Sequence, residues 1–318
     1  MLHLGYKETR TKNHNEKEKE MNKFELTENF RMYLDHKLFQ IRALDTIKGV
    51  VKAGETGGYI EKEENLSQFG NSWVYGNAQV FGNARVSGNS TVSENSMVYG
   101  YAFLDGNSRV EGNANVYGDA VLIGNSRVSG NSIVFGNAFL HDNARVFGNS
   151  IVFGASEVYG NSRVYGDAVL TGNSCVFGNS DVYGNAQLCE NVQVSDSRVF
   201  GDVKLRDNAQ VHGKARIHGN VQLSGDAFVS GYVNLSGYLH LSGNACVLSE
   251  SDFLQIKGLG TEHRTTTAYK TKDGIEIVCG CFRGGIEAFK NQVVNTRSGK
   301  VREEYLKFVE LIDIYFEL

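Results

Sequence analysis

The stretch VYGNAQVFGNARVSGNS at residues 74–90 decides how this chain must fold. It repeats every six residues as aliphatic, variable, glycine, asparagine or aspartate, small, variable. The aliphatic position recurs at Val74, Val80, Val86, Val92, Val98, Leu104 and Val110, and onward to Val194. One residue is then missing, in VSDSR (194–198). The phase resumes at Val199 and continues through Leu205, Val211, Ile217, Leu223, Val229, Leu235 and Leu241 to Val247. A hexad sustained over residues 68–247, with only Gln68 departing at the open end, is the pattern of a solenoid.

One hexad suits one short strand and one corner. The fifth residue of a hexad and the first of the next lie two apart, so they share a strand face. One is small and the other branched, which fits a narrow interior. Gly-Asn and Gly-Asp both tolerate positive φ and supply the corner. A second period tests how many hexads close a coil. Leu104, Leu122 and Leu140 are 18 apart, as are Leu170 and Leu188, and Leu205, Leu223 and Leu241 continue that column after the deletion. Three hexads per coil follow, and about ten coils stacked at ~4.8 Å make a triangular prism roughly 48 Å long.

Composition agrees. The 318 residues include 37 glycines and no proline, against about 16 prolines at the usual ~5%. A proline would remove an N–H from the ladder between coils. The net charge of −4 gives no global polyelectrolyte character. No run of ~18 apolar residues spans a membrane, and the charged N-terminus shows no signal-peptide pattern. Five scattered cysteines without a C-x-x-C pair point to reduced thiols and a cytoplasmic location, and away from zinc.

Outside the repeat, residues 1–22 read as a disordered charged tail, and Met21 is a second candidate start. Residues 23–67 read as an N-terminal cap, with a strand at 37–44 and, in 49–67, a Gly-Gly turn and another short strand. Residues 248–318 read as an α+β cap: a hairpin around Lys272-Asp273-Gly274, a helix at 286–294, and an amphipathic helix at 300–316. Its apolar stripe is Val301, Tyr305, Phe308, Val309, Ile312 and Phe316. Such a cap would cover the unpaired strand edges at the end of the prism.

The V-x-G-N-A/S-x array resembles the hexapeptide-repeat superfamily, which implies a left-handed parallel β-helix. That superfamily includes many acyltransferases and some metal-dependent carbonic anhydrases. IRAL (41–44), VKAGETGGYIEKEENLS (51–67), the dense GNA/GNS repeats and YKTKDGIEIVCGCF (269–282) look like hexapeptide proteins of prophages and enterobacteria, labelled transferases or polymer-forming proteins. The resemblance implies an acyl-CoA-dependent transferase with a site between protomers as one alternative, and a filament-forming scaffold as another. The residues favour binding over catalysis. No loop interrupts the hexads to build an active site, the histidines do not form the three-His zinc set, and no nucleophile elbow, phosphate loop or H-E-x-x-H motif occurs. No catalytic residue, metal or cofactor is expected.

Function should then lie on the outside. The sixth hexad position points outward, and reading it every 18 residues gives three columns. The first starts at Trp73 and carries Arg109, Arg127, Arg145 and Arg163, then Asp181, then Arg198 and Arg216. It is a candidate site for an anionic macromolecule or host protein, weighed against a solvated face whose arginine stems cover the strands. The second carries Met97, Ile133, Ile151 and Val169, beside second-position Tyr99, Tyr117, Phe135 and Phe153. It is a candidate interface for a dimer or trimer, weighed against rings that merely shield the corners. The third adds Phe103, Val121 and Phe139 in the same coils.

Overall fold

The computed structural model describes residues 22–317. The tail expected over 1–22 lies outside the described residues, except for Asn22.

The repeat forms a mainly β structure, a parallel β-solenoid of about ten coils. Its strands, mostly two residues long, run from β4 (Trp73–Val74) to β32 (Cys246–Val247). Each pairs in parallel with the strand one coil on, so that Arg109 lies against Arg127, Asn115 against Ile133, and Val121 against Phe139. The three outward columns predicted from the hexads are the three faces of the solenoid, and the third face is a ten-stranded sheet. Across the deletion Asp181 pairs with Arg198, Gln187 with Lys204 and Gln193 with Gln210, after which the 18-residue register returns at Arg198 and Arg216.

The interior is filled by the aliphatic and small positions. Val128, Val134, Leu140 and Ala144 are fully buried, as are serines such as Ser132 and Ser150. A serine is tolerated there because its hydroxyl turns back to the carbonyl three residues earlier. Ser132 Oγ donates to Ser129 O at 2.7 Å, and Ser156 Oγ does the same to Phe153 O. Backbone hydrogen bonds join coil to coil through strands and corners alike: Arg109 N reaches Ser126 O at 2.9 Å, and Asn113 N reaches Gly130 O at 2.8 Å. That is why a proline-free sequence fits. At the corner, Gly130 has φ +72°, and a Cβ there would sit 2.8 Å from the backbone O and 2.9 Å from the backbone N of Gly148. Glu94, Asp142, Glu190 and Asp207 occupy equivalent corners with positive φ.

The asparagines do more than turn the corners. Asn71, Asn89, Asn107, Asn125, Asn143, Asn161 and Asn179 form one ladder in which each side-chain amide donates to the next carbonyl oxygen at 3.0–3.2 Å. The ladder ends on Asp196. A second runs from Asn77 to Asn149 and ends on Asp167, and a third runs from Asn173 to Asn208 and ends on Asp226. The donors all point toward the C-terminal end, so an acceptor-only carboxylate closes each ladder.

At the N-terminal end, β1 (Phe24–Tyr33), β2 (His36–Ala43) and β3 (Thr56–Ile60) form an antiparallel meander. β3 then pairs in parallel with Gln79–Val80. The strand expected at 37–44 is β2; β1, which alternates poorly, gave no comparable signal. The Gly57-Gly58 pair, expected as a turn, lies inside β3. The glycines serve close packing: a Cβ on Gly57 would lie 2.5 Å from Val74 O, and one on Gly58 would lie 2.7 Å from Ala78 O. Two further readings are corrected here. The residue opposite Val86 is Leu66 rather than Gln68, because the short turn Glu63–Asn65 brings Leu66 into register. Gln68 Oε1 instead accepts the backbone N–H of Lys23 at 2.8 Å. Trp73, expected to face solvent, is fully buried because Phe24 folds over it edge-on, with ring centroids 6.4 Å apart.

At the other end, β33 (Phe253–Leu259), β34 (Arg264–Thr271), β35 (Gly274–Cys279) and β36 (Phe282–Gly285) form an antiparallel sheet. It is backed by α1 (Ile286–Thr296) and α2 (Gly299–Tyr315). The hairpin turn falls at Lys272-Asp273, and β33 and β36 extend the two-stranded unit expected from sequence. Tyr305, Phe308, Val309, Ile312 and Phe316 are buried against the sheet, and Val301 is partly so. Fully buried Tyr269 packs into the solenoid core, while Thr271 bridges to Ala245 on the last coil.

Candidate interaction surfaces

The second face is apolar in its middle coils. Met97, Ile133, Ile151 and Val169 stand half-buried at equivalent heights on successive coils, with Asn115 the single polar interruption. Beside them runs a column of rings. Phe81, Tyr99, Tyr117, Phe135 and Phe153 stack face to face, with centroids 4.7–4.9 Å apart and planes within 7°. The spacing is that of the coils, so each ring covers its neighbour's face and leaves its edge outward. Burial by these neighbours raises the pKa of the Tyr99 phenol, helped by Tyr117 and Tyr33. Around the corner, Phe103, Val121 and Phe139 on the third face are also half-buried. The apolar surface therefore wraps one corner of the prism.

The first face carries the arginines, all of them exposed. They are not an unbroken field. Arg127 pairs with Glu111, and Arg163 donates two hydrogen bonds, at 2.7 and 2.8 Å, to the carboxylate of Asp181. Those bonds, and then the carboxylate charge, hold the Arg163 guanidinium even more firmly protonated than usual. Asp181 is itself buried, and its remaining contact to Arg198 is 3.7 Å long. Arg109, Arg145 and Arg216 make no ion pair among the described residues. Asp181 thus divides the column into four arginines, of which Arg127 and Arg163 are paired, and two beyond it, of which Arg198 keeps only the long contact to Asp181.

Beside that column stands a feature that the sequence reading did not single out. Phe147, Tyr165, Tyr183, Phe200 and His218 form another stack at 4.7–4.9 Å, within 8° of parallel. Its signal was present: aromatic residues recur at the second hexad position every 18 residues, shifted by one at the deletion.

The polar groups on the third face are arranged for structure. His141 stacks on Tyr159 at 4.7 Å, and its Nε2 lies 3.1 Å from Glu157. Cys175, on the same face, is pushed up to about 11 by burial and the nearby Glu157 charge, so its thiol stays protonated and weakly nucleophilic. His212 Nδ1 and Ser195 Oγ share a 2.7 Å hydrogen bond, and burial lowers the pKa of His212. His212 and His218 lie on different corners. Among the described residues no group of three or more His, Cys, Asp or Glu side chains is placed to hold a metal. No described helix is long and apolar enough to cross a membrane.

A family model described as a YdcK beta solenoid repeat matches residues 78–94, just under one coil. No curated protein matches the chain. The repeat is thus similar to a known β-solenoid repeat, which agrees with the fold.

Proposed function

We propose that this chain is a non-enzymatic binding protein that self-associates, as a dimer or trimer, through the apolar middle of its second face. The observation that carries this reading is the in-register row of Met97, Ile133, Ile151 and Val169 beside an unbroken stack of aromatic rings. These coils make a flat strip roughly 24 Å tall at ~4.8 Å per coil. Stable interfaces cover about 800 Å² on each partner, and the continuation onto Phe103, Val121 and Phe139 extends the strip toward that size. A face with side chains at one repeat can pair with itself about a two-fold axis, and the continuation onto the third face offers the second patch that a three-fold, heterologous contact needs.

The same proposal includes a left-handed hexapeptide-repeat coil, supported by the V-x-G-N-A/S-x pattern, and a phage-derived protein engaging a host macromolecule, supported by the sequence resemblance. A cytoplasmic setting is supported by five free thiols. Arg109 and Arg145, unpaired on the first face, are the residues offered to an anionic partner.

The test is the double variant Ile133→Asp/Ile151→Asp. Two carboxylates in the middle of the strip should reduce the sedimenting species to a single chain while the circular dichroism spectrum stays unchanged. An unchanged sedimentation coefficient would remove the second face as the interface.

A further inference from the structure

The one break in the repeat makes a site. The missing residue in Val194-Ser195-Asp196-Ser197-Arg198 falls wholly on a corner, because the flanking strands keep their pairing to Cys175 and Asp181. Asp196 turns that shortened corner with φ +50°. The corner's asparagine ladder stops there: Asp196 accepts from the Asn179 side chain at 3.2 Å and from its backbone N–H at 3.0 Å. In the next two coils the ladder position holds Lys214 and Tyr232 in place of asparagine. Lys214 donates to the Tyr232 hydroxyl at 3.0 Å, with its ammonium 5.1 Å from that ring's centre.

The result is a notch of about 480 Å³ between the first and third faces, lined by Asn179, Asp196, Arg198, Lys214, Arg216 and Tyr232. Three cations face it against one carboxylate, and that carboxylate is already engaged by Asn179. The other nearby carboxylate, Asp181, gives both oxygens to Arg163 and leaves Arg198 with only the 3.7 Å contact. Arg216 has no ion pair among the described residues. Two planar guanidinium groups one coil apart, with an ammonium on the adjoining corner, match the several acceptor oxygens of a tetrahedral oxyanion. Elsewhere in the repeat the ladder position holds asparagine, aspartate, alanine or tyrosine, and Lys214 is the one cation there, so the deletion and the added positive charge coincide in one place.

We propose that this notch binds a phosphate group, either inorganic phosphate or a small phosphate monoester. The site is separate from the apolar strip, so failure of one reading leaves the other standing. The experiment is a calorimetric titration of the full chain with inorganic phosphate and with AMP as the monoester, at constant ionic strength set with chloride. Saturable one-site binding is expected, and Arg216→Gln and Lys214→Gln should each weaken it at least tenfold. Arg85→Gln, at an exposed arginine of the third face far from the notch, should change it less than twofold. Equal affinity for the two probes identifies the free ion as the ligand, and tenfold tighter AMP identifies the monoester; both outcomes support the site. Absence of saturation with either probe, or an equal loss in Arg85→Gln, overturns it by reducing the binding to diffuse attraction to exposed arginines.

Discussion

At the residue scale, two positions carry the argument for the corner. Gly130 must combine positive φ with close approach to the next coil, whereas Gly76 has φ +57° and open space around it. Gly76→Ala should cost about 1 kcal/mol, the strain of a left-handed residue. Gly130→Ala adds the backbone clash and should cost about 1–3 kcal/mol more, read from urea denaturation midpoints. Equal losses would show that the coils yield freely. The asparagine ladders make a sharper claim, because they have a direction. Asn149 accepts from Asn131 and donates to Asp167. Asn149→Ala should cost about 1 kcal/mol, the usual net worth of such a bond. Asn149→Asp should cost about twice that, since it loses the donor and adds a like-charge contact of ~0.9 kcal/mol at one coil's spacing in water. Asp167→Asn should be neutral or stabilising, because it gains a donor toward Asn185. If Asn149→Asp proved harmless, the ladders would have no fixed polarity.

At the element scale, the ends of the solenoid are where ordinary structure has to meet a repeat. β3 joins the first coil through two glycines, and Lys23 is buried beside the turn that precedes β4, its ammonium donating to Ser72 O at 2.9 Å and Oγ at 3.1 Å. Burial pushes Lys23 down to about 8 from 10.5. Between those two values the unfolded chain holds a proton that the folded chain has released, so stability attributable to this group rises with pH through that window. Lys23→Met removes the group. The stability of the wild-type chain relative to this variant should therefore increase from pH 8 to pH 10. A constant difference would show that Lys23 keeps its proton in the folded state. These ends also show where sequence reading stopped. The hexads announced their own register through Val and Leu at 6 and 18 residues. The Gly57-Gly58 pair read as a turn, because glycine needed for close packing looks the same in sequence as glycine needed for positive φ. Trp73 read as exposed, because the period carries no information about Phe24 folding over it. The stack Phe147–His218 and the ladders were present as periodic residues, but their mutual contacts depend on the spacing between coils, which exists only once the chain has wound.

At the scale of the whole molecule, regularity confines where function can sit. The interior is filled by Val, Leu, Ala and Ser, and its serine hydroxyls mostly turn back to the local backbone. The two ends are covered, by β3 and Leu66 at one and by Tyr269 and Thr271 at the other. Truncating residues 248–318 would expose the last coil's strand edges. The truncated chain should form end-to-end assemblies visible by negative-stain microscopy, and a uniformly short particle would show that the cap is not what limits growth. With the core and ends occupied, the faces remain. Of these the second joins a row of aliphatic side chains to a stack of five aromatic rings, so the account rests on it. The most direct measurement is the mass of the wild-type chain by multi-angle light scattering over a micromolar concentration range. The account predicts a particle of two or three chains that persists on dilution. A single-chain mass throughout would contradict it and leave the aromatic stack as a device for holding coils together within one molecule.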